Sequence, residues 1–118
     1  MGVPIGYFEI STGDSDKSQK FYSELFGWDI NVGEYGYGMI KTGADSGIGG
    51  GIRKLDEQST APSVLMYAVV DDVEANLEKA GSLGGKTEVE PYEIPGVGKM
   101  AVFSDPDGNK IGLWKQAW

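Results

Sequence analysis

The strongest constraint on this chain is that its order of elements occurs twice. An acidic residue able to cap a helix, an amphipathic stretch and a glycine stop run from Asp14 to Gly27. The same device runs from Asp72 to Gly85 at the same separation. Each copy has one strand-like stretch before it and three after it. In the first half, residues 3–11 (VPIGYFEIS) read as a strand and Lys17–Phe26 as a helix, with Asp14 or Ser15 as its cap. Phe21, Tyr22, Leu25 and Phe26 share one face of that helix and are expected to be its core contacts. Trp28–Val32, Tyr37–Thr42 and residues 47–53 (GIGGGIR) follow as strands, with Gly33-Glu34 as a turn. In the second half, Val64–Val70 reads as a strand, Val73–Leu83 as a helix and Lys86–Glu90 as a strand. Residues 91–96 read as loop, and Lys99–Ser104 and Lys110–Lys115 as strands joined by the Asp105–Asn109 turn.

This order predicts an α+β fold of two βαβββ modules, residues 1–55 and 63–118, with a polar linker at 56–62. At 118 residues they are expected to form a single domain with one core. No apolar run is long enough for a membrane helix, and no secretory leader is read at the start, so a cytoplasmic location is expected.

Composition narrows the chemistry further. The chain has no Cys and no His, which removes thiolate chemistry, the commonest general base and the usual ligands of zinc or iron. Its net charge is −8, with 10 basic against 18 acidic residues, so nucleic acid and anionic membranes are poor partners and a cationic ligand is favoured. The glycines of GIGGGI lack the spacing of a dinucleotide fingerprint, and no helix follows them.

Several stretches resemble the vicinal-oxygen-chelate superfamily of glyoxalase I, bleomycin-resistance proteins and extradiol dioxygenases. They are Lys20-Phe21-Tyr22-Ser23-Glu24-Leu25-Phe26-Gly27-Trp28, then Val70-Asp71-Asp72-Val73, then Gly84-Gly85-Lys86, and last Asp105-Pro106-Asp107-Gly108-Asn109. The likeness spans nearly the whole chain and is greatest to a small glyoxalase-related subgroup. It implies a curved mixed sheet around a cup, with helices outside.

Metal-dependent members of that superfamily take one ligand from each of four strands. The resemblance carries those positions onto Tyr7, one of Gly49–Gly51, Leu65 and Gly112, none of which supplies an imidazole or carboxylate. No metal and no cofactor are therefore expected. The glycines admit two readings: they open room for a ligand, or they allow a kink or close packing.

Strand alternation places Phe8, Ile10, Met66, Ala68, Val70, Ile111 and Leu113 beneath the helices. It turns Tyr7, Glu9, Gly50, Leu65, Tyr67, Gly112 and Trp114 toward the cup, with Trp28 beside them. These eight cup residues are the candidate ligand-binding set, and Glu9 and Tyr7 are the candidates for acid–base work; the alternative for Glu9 is a structural carboxylate hydrogen-bonded to a neighbouring Tyr, Ser or Lys. The leading expectation is a metal-free binder of a small cationic or aromatic molecule. Two alternatives are a metal-independent lyase or isomerase related to lactoylglutathione lyase, and an interaction module that pairs into a homodimer.

Overall fold

A computed structural model describes residues 2–33, 36–56 and 61–118. Among them are eight strands and two helices: β1 (Ile5–Thr12), α1 (Ser15–Phe26), β2 (Asp29–Val32), β3 (Gly38–Lys41), β4 (Gly49–Lys54), β5 (Val64–Val69), α2 (Val73–Ser82), β6 (Lys86–Ile94), β7 (Gly98–Ser104) and β8 (Lys110–Gln116). The architecture is mixed α+β, and each half has the βαβββ order. The turn residue Glu34 and linker residues 57–60 lie outside the described residues.

The chain divides into two compact units. One is Tyr7–Val64; the other joins the residues up to Gly6 to Leu65–Trp118. In the first unit the strands run in the order β2-β3-β4-β1, with β1 and β4 parallel and the other pairs antiparallel. In the second the order is β5-β8-β7-β6, with β5 and β8 parallel and the rest antiparallel. A strand that returns parallel to its module's first strand needs a crossover, and α1 or α2 supplies part of it.

Helix ends follow the local chemistry. The Asp14 carboxylate accepts from the Lys17 N–H at 3.1 Å, and Gly27 closes α1 in the left-handed region at φ 70°. The Asp72 carboxylate accepts from the Ala75 N–H at 2.9 Å. Helix α2 ends in a Schellman turn: Gly84 takes φ 98°, and the Gly85 N–H donates to the Ala80 carbonyl at 2.8 Å.

Each unit has its own core. In the first, Ile10, Ile40 and Ile52 are buried, with Phe8, Tyr22, Trp28 and Ile30 packed against them. In the second, Val70, Val73, Leu77, Ala101 and Leu113 form the cluster, with Ala68 and Phe103 at its edge.

Three expectations are corrected. The segment read as a loop at 91–96 continues β6 as far as Ile94. Of its two register shifts, between Thr87 and Val89 and between Val89 and Tyr92, the second spans Pro91, which an outermost strand tolerates. Met66 was expected beneath a helix but is 47% exposed, because α2 covers only the Ala68 and Val70 end of β5. Phe21, Leu25 and Phe26 were expected as core of α1 and are each more than half exposed. The helix turns Tyr22 toward the core, and its Ser18 hydroxyl donates to the Thr12 hydroxyl at 3.0 Å. No described helix is long and apolar enough to cross a membrane.

Candidate functional site

The sheet face of the first unit that turns away from α1 carries a buried carboxylate. Phe8 and Ile10 point to the helix side, so Glu9 between them points to the other. Register aligns Glu9 with Gly51 on β4, and Gly51 with Met39 on β3. Glu9 is 3% exposed, whereas Met39 in the same row is 38% exposed. The row therefore runs from a polar floor at Glu9 to an accessible apolar side chain at Met39.

Two tyrosines converge on that floor. The Tyr37 hydroxyl donates to Glu9 Oε2 at 2.8 Å. The Tyr7 hydroxyl meets the Tyr37 hydroxyl in a short hydrogen bond. Because Tyr37 spends its one proton on Glu9, Tyr7 is the donor in that second bond. The result is a directed chain, Tyr7 to Tyr37 to Glu9. Arg53 Nε stands 4.0 Å from Glu9 Oε1, while its Nη2 makes the tighter contact, 2.8 Å, to Asp56. Burial, and then the negative charge of Glu9, raise the Tyr37 hydroxyl far above its ordinary pKa of 10.0. Tyr37 therefore stays protonated and serves as a fixed donor.

Replacing Tyr37 by Phe removes the donor and leaves the buried carboxylate short of one hydrogen bond. A loss of about 2 kcal/mol is expected in urea denaturation at neutral pH. The hydroxyl has a second signature. A folded-state pKa above the unfolded value gives stability that is full below the unfolded pKa and declines as pH rises beyond it. The wild type should thus lose up to about 1.4 kcal/mol per pH unit more than Tyr37→Phe above roughly pH 10. Parallel pH profiles of the two proteins would refute this assignment.

The glycines prove to be tightly packed. A Cβ on Gly51 would overlap the Tyr37 and Tyr7 hydroxyl oxygens. One on Gly50 would overlap the Phe8 carbonyl oxygen and stand 2.8 Å from the Phe8 ring. In the second unit, Gly112 is the register partner of Tyr67, and a Cβ there would cut into the Tyr67 ring, 2.7 Å from its Cγ. Of the two readings of these glycines, close packing is the one seen: aromatic rings fill the space that missing side chains would leave open.

The candidates from the sequence fall into two groups. Tyr7 and Glu9 meet in the first unit, with Gly50 beside them on β4. Tyr67, Gly112 and Trp114 lie together in the second, with Leu65 half-buried earlier on β5. Tyr67 is 1% exposed, and the Trp114 indole donates to the Val97 carbonyl at 2.9 Å. Trp28 is corrected: it stacks on Tyr22 at 5.5 Å and touches Phe8 at 5.4 Å, on the helix side and away from Glu9. The sequence did not single out Tyr37, Arg53 or Met39. Tyr37 precedes β3 and reaches Glu9 from 28 residues away, a contact no local pattern encodes.

The residues at the four positions that the superfamily resemblance assigns to metal ligands do not make up a metal site. Two are glycines, Leu65 has no donor atom, and the Tyr7 oxygen is committed to Tyr37. Among the described residues no group of three or more carboxylates is close enough to hold an ion.

Comparison with known proteins agrees with the architecture. The model of the Glyoxalase/Bleomycin resistance protein/Dioxygenase superfamily matches residues 4–113. The Mycobacterium bovis protein CFP32 is 30% identical over 121 residues, covering 98% of this chain and 46% of its own length. The anthracycline biosynthesis protein DnrV of Streptomyces peucetius is 27% identical over 131 residues, covering 98% and 47%. The chain thus spans about half the length of these relatives. Methylmalonyl-CoA epimerase from Mycobacterium tuberculosis superimposes with a TM-score of 0.71 at 17% identity, over 97% of this chain and 88% of that one. The Mn(II)-bound glyoxalase from Novosphingobium aromaticivorans gives 0.67 at 24%, over 96% and 38%. At such identities the two structures speak for the fold alone.

Proposed function

This chain belongs to the Glyoxalase/Bleomycin resistance protein/Dioxygenase superfamily, and on that footing we propose that it binds a small cationic or aromatic molecule without a metal. The observation that carries this reading is the buried Glu9 carboxylate held by Tyr37, on a sheet face where Met39 is exposed two strands away. A carboxylate in a desolvated polar floor beside an apolar wall is suited to orienting a small ligand. A cationic ligand would compete with Arg53 for Glu9, and Arg53 already has its tighter partner in Asp56. The net charge of −8 favours the approach of a cation.

Native mass spectrometry of the purified protein, set against its denatured mass, tests the proposal. An organic adduct in the wild type that is depleted in Glu9→Gln supports it. A divalent ion at unit occupancy, or an adduct indifferent to Glu9→Gln and Tyr37→Phe together, overturns it.

The directed chain from Tyr7 through Tyr37 to Glu9 favours a second reading, a metal-independent lyase or isomerase. In that reading the substrate gives a proton to Tyr7 as Tyr7 passes its own through Tyr37 to Glu9. Its mark would be a pH–rate profile whose acidic limb disappears in Glu9→Gln.

A further inference from the structure

Helix α2 covers its sheet incompletely. Its first half buries Val73 and Leu77, but the positions that continue that face are Ala80 and Gly81. Leu83, large enough to fill the gap, is 69% exposed. A cavity of about 400 Å³ results, walled by Ala68, Val70, Phe103 and Leu113 and reached by Ala80 and Leu83 of the α2 end. That volume lies within the range of small-molecule sites. The cavity is in the second unit, on its helix side, and shares no residue with the Glu9 cluster.

Two opposite charges line the cavity. Lys79 makes no ion pair among the described residues, with Asp105 or any other carboxylate. Asp105 is anionic at neutral pH, because the Asn109 amide and the backbone N–H groups of its turn hold its carboxyl below the ordinary range. Its Oδ1 accepts from the Asp107 and Asn109 N–H groups, both at 2.9 Å, and its Oδ2 accepts from Asn109 Nδ2 at 3.0 Å. A carboxylate offers about four acceptor positions, so Oδ2 retains one. A simple anion would be attracted by Lys79 and repelled by Asp105; a simple cation would meet the reverse. A molecule carrying both charges next to an apolar body satisfies both ends.

We propose that the cavity between α2 and the sheet binds a small zwitterion with an apolar body, of the class of hydrophobic α-amino acids. The carboxylate meets Lys79, the ammonium meets Asp105, and the side chain lies against Val70, Phe103 and Leu113. Having no net charge, such a ligand escapes the repulsion that the chain's acidity imposes on anions.

Three probes with one apolar body test this by amide chemical-shift titration: phenylalanine, 2-phenylethylamine and 3-phenylpropionate. Phenylalanine should shift the signals of Ala80, Phe103 and Leu113 saturably, with a dissociation constant on the order of 1 mM. The two singly charged probes should bind about fivefold more weakly, the scale of a rim-exposed charge contact. Lys79→Gln should lower phenylalanine to the level of 2-phenylethylamine and leave 2-phenylethylamine unchanged. Ala80→Phe should abolish binding of all three; if that variant does not fold, Lys79→Gln alone decides. Equal affinity for the three probes, or no saturable shift up to the solubility limit of phenylalanine, overturns the proposal. Glu9→Gln should leave these titrations unaltered, which separates this site from the one proposed above.

Discussion

Gly50→Ala is expected to lose about 4 kcal/mol of folding stability, at the high end for a single added methyl. The new carbon would meet the carbonyl oxygen of Phe8 on the neighbouring parallel strand, which is backbone and cannot swing aside. The overlap can be relieved only by parting β1 from β4. That would disturb Phe8 and Ile10, which pack in the first unit's core, and loosen the strand that carries Glu9. Urea denaturation should show a lower midpoint with an unchanged slope. A loss below about 1 kcal/mol would mean that β1 and β4 are not so closely apposed at Gly50.

Gly112→Ala should lose about 3 kcal/mol by a different route. Here the obstacle is the Tyr67 ring, whose Cδ2 and Cε2 would stand 2.2 and 2.3 Å from the new carbon, and a ring only 1% exposed has little room to turn aside. Tyr67 is also among the largest fully buried side chains of the molecule. The two residues should therefore be strongly coupled. In a Tyr67→Ala background, the further change Gly112→Ala should lose less than about 1 kcal/mol, because the methyl then enters space already vacated. Additive losses in the double-mutant cycle would show that Gly112 is needed for its backbone and not for the ring across from it.

These two positions show what could be read in the sequence and what could not. The elements were legible because their signals are local. Asp14 and Asp72 cap, Gly27 allows a left-handed residue, and alternating side chains assign Phe8 and Glu9 to opposite faces, although the left-handed residue after α2 is Gly84 and not Gly85. The glycines were legible as departures from the superfamily's metal-ligand pattern. Their meaning was not, because it depends on which ring lies opposite. Tyr67 is 45 residues from Gly112 in a chain numbered through both, and Tyr37 meets Gly51 only through the pairing of β3 with β4. Trp28 was misplaced for a similar reason. It precedes β2, and its side is decided by stacking on Tyr22 and Phe26, not by strand parity. The cavity beside α2 was in principle visible as the small residues Ala80 and Gly81 after Val73 and Leu77. Small residues on a helix face usually mark close approach, however, and only the exposure of Leu83 shows that nothing fills the gap.

The irregular course of β6 bears on how the protein behaves at high concentration. As the outermost strand of its sheet it presents a row of main-chain groups onto which a strand from another molecule could zip, the first step toward fibrils. Pro91 removes a donor from that row, the two register shifts break its repeat, and Glu88, Glu90 and Glu93 add negative charge along it. An edge so interrupted is a poor template, which protects the longest strand of the molecule from self-association.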